Sequence, residues 1–197
     1  QNIKELRGLI QNNMLRRTKE DKLNLPPITF SDIRVDMTAG QKKLYKAVKE
    51  EIMEDLKDTT LESVPSALAK LMRLQQITDS PYLLGGPKSS SKIKAVEDLL
   101  EEIVDTAGQK AIIFTRFRPM IELLQDKFKK HKPAIIHGDV SSSGKTKEQA
   151  QRILGGDTDP EKLNELMTSE RQQQVYKFQE DPSCKLFIGS IGACSEG

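Results

Sequence analysis

Ala111-Ile-Ile-Phe114 is a run of four apolar residues, three of them β-branched or aromatic, closed by Thr115-Arg116. It is too short for a helix and predicts a strand buried on both faces. Pro119 suits the first turn of a new helix. Met120, Ile121, Leu124 and Phe128 then repeat at helical spacing. Strand, polar turn and amphipathic helix make the front half of a βαβ unit, and Pro133-Ala-Ile-Ile136 and Lys185-Leu-Phe-Ile188 supply further strands. The expected fold class is α/β: a parallel sheet with helices on both faces, preceded by a mostly helical arm. Ligands of open α/β sheets gather at the carboxyl ends of strands. Thr115 and Arg116, and His137-Gly138-Asp139, stand at such ends, where each could equally be a turn former.

Before that core, Ile3, Leu6, Leu9, Ile10 and Met14 have helical spacing, and Leu25-Pro-Pro27 ends any helix. Ile33, Val35 and Met37 alternate with polar residues and predict a half-exposed strand. Thr38 and Gln41 form a capping box ahead of a helix bearing Leu44, Val48, Ile52 and Leu56, interrupted at Asp58-Thr-Thr60. Pro65 opens a second helix with Leu68, Leu71, Met72 and Gln75 on its stripe, and burial of Leu44, Val48 and Leu68 is expected. Ser89-Ser-Ser91 caps a third, from Ile93 to Val104, with Gly108 as its C′ residue. The chain therefore divides near residue 88. Lys147 to Leu154 and a stretch opened by Pro160 predict short helices, and Val175 and Phe178 return to a core face.

Charged residues make up 30% of the chain, and mean hydropathy is -0.54, which points to long solvated helical faces. The 31 Lys and Arg nearly cancel 29 acids, so the net charge of +2 neither demands nor excludes a polyanionic partner. Cys184 and Cys194 have no histidine near them and form no metal-ligand pattern, so reduced thiols in a cytosolic or nuclear protein are expected. No apolar run is long enough to span a membrane. The chain stops at Gly197 inside what reads as a strand-to-helix turn, and a fragment is expected.

Gly144-Lys145-Thr146 imitates the end of a phosphate loop, but the glycine required six residues before the lysine is Asp139. A carboxylate there would repel phosphate, and a plain flexible insertion is the better reading. His137 with Asp139 has the composition of an acid-base pair or of a turn. His131 is expected on a basic surface helix end, and Arg16-Arg17 and Lys129-Lys130 on solvated faces. Gly189 to Gly197 is the most loaded stretch: three glycines, two serines and an alanine after a strand let a backbone approach either a ligand or a packed helix.

Taken in order, these blocks resemble the Swi/Snf-type family of superfamily-two DNA translocases. Met14-Leu-Arg-Arg-Thr-Lys19 with Leu25-Pro-Pro27 resembles the junction between that family's two motor lobes, and Val35 to Gln41 with Leu44-Tyr45 the strand and helix that follow. Leu71 to Leu84 is similar to a block ending in His-Pro, with Ser80 in place of the histidine, and Ser91-Lys-Ile-Lys94 leads into the second lobe. Lys110 to Thr115 resembles motif IV, His137-Gly138 with Arg171 and Phe178 the next motif, and Ser190 to Gly197 the start of motif V. The sequence departs from the family in motif V, with Ile191 for a common threonine and Cys194-Ser195 for two glycines. His137 and Arg171 also stand unusually far apart, so residues 141 to 168 read as an insertion.

The resemblance implies a lobe-junction segment and helical protrusion over 1–88 and a second RecA-like lobe over 89–197, incomplete. It implies the C-terminal motor half of an ATP-dependent double-stranded DNA translocase, with ATP and Mg2+ bound mainly by a first motor lobe absent from this sequence. Motif VI with its arginine finger is absent as well, and the chain alone is expected to hydrolyse no ATP. Thr115, Arg116, His137, Gly138, Ser190 and Gly192 are the expected nucleic-acid contacts, and Glu196 and Gly197 would face the inter-lobe nucleotide. The implied partners are double-stranded DNA, the first lobe and a possible nucleoprotein substrate, with no membrane, in an intracellular setting that is cytoplasmic (nucleoid) or nuclear. Two other readings are an RNA helicase lobe, which lacks such an arm, and a non-catalytic α/β module that recruits a protein partner.

Overall fold

A computed structural model describes residues 27–55, 64–155 and 159–195. The chain divides into two units, Gln1–Arg34 and Val35–Gly197. Of the first, residues 27–34 are irregular and leave Ile28, Phe30 and Ile33 exposed. The strand expected around Val35 is not formed either, since residues 35–38 of the second unit carry no ladder. Alternation alone does not make a strand when no neighbour accepts its hydrogen bonds. The helix and basic cluster expected before Leu25, and the break at Asp58-Thr-Thr60, lie outside the described residues.

The second unit opens with α1 (Ala39–Asp55), which the Thr38-Gln41 box starts as predicted. The Gln41 N–H donates to Thr38 Oγ1 at 3.2 Å and the Thr38 N–H to Gln41 Oε1 at 3.1 Å. Gln41 is 1% exposed and does more than cap. Its Nε2 donates to the Ile77 carbonyl at 2.9 Å, and its Oε1 also accepts from the Ser91 N–H at 3.4 Å. One buried amide thus ties α1 to the end of α2 (Val64–Asp79) and to the start of α3 (Ser91–Leu100). Val48 and Ile52 pack on Leu74 and Ile77, with Leu44 half-buried beside them. Leu68 is a correction: it is 58% exposed, with Leu71 and Met72 also outside. Apolar residues surround much of α2, and contact with α1 selects the Leu74-Ile77 face instead.

Ser90 caps α3, and a π-helical turn (Glu101–Thr106) continues it. The Gln109 N–H then reaches back to the Ile103 carbonyl across Gly108, whose φ of 68° confirms the expected C′ glycine. The sheet is parallel, in the order β1 (Ala111–Thr115), β3 (Leu186–Ser190), β2 (Ala134–Ile136). Between β1 and β2 runs α4 (Arg118–Lys127). Between β2 and β3 run α5 (Lys147–Ile153), α6 (Pro160–Met167) and α7 (Glu170–Glu180). On one face Ile113, Leu186 and Ile188 pack against α3 and α4 through Ile93, Met120, Ile121 and Leu124. On the other, Ile136 and Phe187 meet Val175 and Phe178 of α7. Helices therefore cover both faces, as expected of a RecA-like sheet.

β1 is not buried on both faces. Ile112 and Phe114 are 54% and 55% exposed, because β1 lies at the edge and α7 covers only β2 and β3 on that side. His131 also departs from expectation. It is 5% exposed, turned inward by a 3-10 turn (Lys129–His131) that ends at Lys132 with φ 48°. Among the described residues no helix is long and apolar enough to cross a membrane.

Candidate nucleic-acid interface

The carboxyl ends of the three strands make one rim. Thr115 and Ser190 are partners in the last rung of β1 and β3, and Ile136 faces Gly189, so His137 emerges one residue beyond on the other side of β3. Arg116 follows Thr115 and is exposed. Its Nη1 donates to Oε1 of Gln75 on α2 at 3.0 Å. Thr115, Arg116, Ser190 and His137 are thus brought together, with Gly138 exposed beside His137. Gly192 lies within α8 (Ile191–Cys194). The stretch after β3 is therefore not the open loop expected, because Ser190 Oγ accepts from the Ala193 N–H at 3.3 Å and starts a helical turn. Gly189 is where that turn comes closest: a Cβ there would lie 2.7 Å from Cys194 Sγ and 3.0 Å from the Phe187 ring. The small residues here serve packing at least at this position. Glu196 and Gly197 lie outside the described residues.

Other partners along the rim had no local signal in the sequence. The Asp139 N–H donates to His137 Nδ1 at 3.3 Å. Asp139 pairs through its carboxylate with Arg118 at the start of α4, and Arg118 Nε lies 3.5 Å from Glu122. Asp139 therefore ties the loop after β2 to α4, a role the acid-base reading of His137 and Asp139 missed. Burial pushes the Cys194 thiol above its ordinary pKa, with the Arg171 charge pulling the other way, so this cysteine stays protonated. Cys184 is buried and free, and no metal-binding group of His, Cys, Asp or Glu occurs among the described residues.

Gly144-Lys145-Thr146 does not fit a nucleotide. A Cβ on Gly144 would overlap the Met167 carbonyl, so the backbone is pressed against the end of α6. The Lys145 N–H donates to the Leu166 carbonyl at 3.0 Å, and Thr146 Oγ1 accepts from Gln149 as the cap of α5. The Lys145 and Thr146 N–H groups are thus turned to protein acceptors instead of curling around a phosphate.

Residues 1–83 match the family model described as SNF2-related domain. Protein CHROMATIN REMODELING 4 of Arabidopsis thaliana is 23% identical across 99% of this chain, which spans 8% of that protein. The CHD3-type chromatin-remodeling factor CHR7 of the same plant is 30% identical over 64% of the chain and 12% of its own length. Among solved structures, the Sulfolobus solfataricus SWI2/SNF2 ATPase core in complex with dsDNA superposes with a TM-score of 0.63 at 26% identity. That match covers 95% of this chain and 36% of the other. These likenesses support a Swi/Snf-type fragment. The Sulfolobus SWI2/SNF2 ATPase C-terminal domain shares the fold, with a TM-score of 0.58 at 24% identity over 78% of this chain and 59% of that one. The chain thus spans about a tenth of the length of the curated relatives named here.

Proposed function

We propose that this chain is the C-terminal motor half of an ATP-dependent double-stranded DNA translocase, a DNA-dependent ATPase acting on nucleoprotein. Residues 1–88 would form the lobe junction and protrusion, and 89–197 the second RecA-like lobe with 141–168 inserted. The observation that carries this reading is the rung Thr115-Ser190 with Arg116 beside it at the carboxyl ends of adjacent parallel strands. Two hydroxyls, a guanidinium and the N–H groups of the following turns suit phosphate oxygens and read no base. His137, Gly138 and Gly192 extend the same rim. A strand-end phosphate grip on a movable lobe is what a sequence-indifferent translocase requires. Likeness to a SWI2/SNF2 ATPase core solved with dsDNA supports DNA as the ligand. ATP with Mg2+ supplies the driving chemistry when bound between this lobe and a first motor lobe, with Glu196 and Gly197 facing it. The chromatin-remodelling relatives support a nuclear or nucleoid setting.

Arg116→Ala in the full-length protein tests this. Affinity for duplex DNA should fall about equally across sequences, and the slope of log affinity against log salt should shrink by roughly one. An unchanged slope sinks the rim reading.

A further inference from the structure

Segment 141–168 leaves the sheet after Val140 and returns at Ser169, and both ends meet at one residue. The Arg171 backbone N–H donates to the Ser141 carbonyl at 3.1 Å, and its Nε to the Val140 carbonyl at 3.0 Å. Its Nη1 donates to the Ala193 carbonyl at 3.4 Å. Glu170 Oε2 accepts from the Ser141 N–H at 3.0 Å, so the start of α7 holds the departing strand of the segment from two sides. Val140 continues the turn that begins at His137-Gly138, and Ala193 sits in the turn that begins at Ser190. A single half-buried guanidinium therefore spans the loop after β2 and the turn after β3. Its planar fork addresses the two carbonyls from two separate nitrogens held in fixed geometry, which the shorter lysine with its single ammonium nitrogen does not reproduce.

We propose that Arg171 is a positioning residue: it fixes the separation of the His137-Gly138 loop and the Ser190-Gly192 turn so that both meet DNA phosphates together. It makes no phosphate contact itself. The inference rests on the rim reading above and adds to it the part that sets the rim's spacing. Its Nε and Nη1 donors point at protein carbonyls of the two loops, and the side chain is half-buried between them.

The experiment compares wild type, Arg171→Ala, Arg171→Lys and Arg116→Ala in the full-length protein. Duplex-DNA affinity is measured across salt concentrations, and DNA-stimulated ATP turnover across DNA concentrations. Arg171→Ala should raise the DNA concentration for half-maximal turnover about tenfold, the lower range for loss of a supporting contact. Its salt slope should match wild type, because no cation is removed from the phosphate-contacting rim, whereas Arg116→Ala lowers the slope. Arg171→Lys keeps the charge, reaches one carbonyl and should recover only part of the affinity. A reduced slope in Arg171→Ala, or wild-type affinity in it, overturns the positioning role. If Arg171→Ala does not fold, Arg171→Lys decides by the same criteria. An unchanged slope in Arg116→Ala removes the rim reading itself and the positioning role with it. A normal Arg116 result beside wild-type binding in both Arg171 variants removes only the latter.

Discussion

Arg116 donates from Nη1 to Oε1 of Gln75, 3.0 Å away and 41 positions earlier in the chain, so the arm steadies the exposed guanidinium that follows Thr115 of the Thr115-Ser190 rung. The partner is neutral. A carboxylate there would compete with phosphate for the same donors. Gln75→Glu should therefore weaken duplex binding more than Gln75→Ala does, and its salt slope should fall toward that of Arg116→Ala. Titrations between about 50 and 200 mM salt resolve the difference. Equal behaviour of the two variants would show that Gln75 does not govern Arg116.

Lys145→Ala should leave DNA-stimulated ATP turnover within about twofold of wild type, since surface changes away from special features alter little. A phosphate-loop lysine would cost orders of magnitude in rate. A collapse of turnover would mean that Lys145 acts in a site its packed backbone does not display. Gly144→Ala supplies the contrast, because its methyl group meets the Met167 carbonyl and should loosen α6.

Gln41→Ala should lower stability by about 1–3 kcal/mol, because it strands the buried Ile77 carbonyl as well as removing a cap. Gln41→Glu keeps the oxygen that accepts from Thr38 and Ser91 but loses the donor to Ile77. Urea unfolding of both variants separates the cap from the long-range bond: a loss confined to Gln41→Ala would assign it to the cap.

His131 makes stability depend on pH. Burial pushes its pKa below the ordinary 6.5; Asp105, 3.7 Å from Nδ1, pulls it up, and Lys130 pushes it down again. Its Nε2 has no hydrogen-bond partner. Because the folded pKa is the lower one, the unfolded chain binds the proton first. Stability is full above about 6.5 and falls as pH drops from there toward the folded pKa. Melting temperatures at successive pH values should show this decline, and His131→Phe should flatten it. An identical decline in the variant would assign it to other groups.

The strands were legible because β-branched runs closed by polar turns are short and leave little choice. Their order was not, since Ala111 to Thr115 reads the same at an edge as in the centre, and only the pairing β1-β3-β2 exposes Ile112 and Phe114. Likewise the face of α2 was decided by α1. His131 looked solvated because lysines flank it, yet a tight turn inverts its direction. Among the candidate site residues, Thr115, Arg116 and His137 followed from the strand-end rule, and Ser190 from the resemblance. Gln75 and the Arg118-Asp139 pair did not, because their partners lie 41 and 21 positions away and a single sequence carries no trace of such pairings.

The feet of segment 141–168 are held together by Arg171 and Glu170 whatever lies between them. The entropy of closing a loop grows only with the logarithm of its length, about 0.6 kcal/mol for each doubling. Helices α5 and α6 could thus be shortened, lengthened or exchanged for another small element at little energetic cost, while the strand ends keep their spacing. Here the fold can accept new sequence without retuning its working edge.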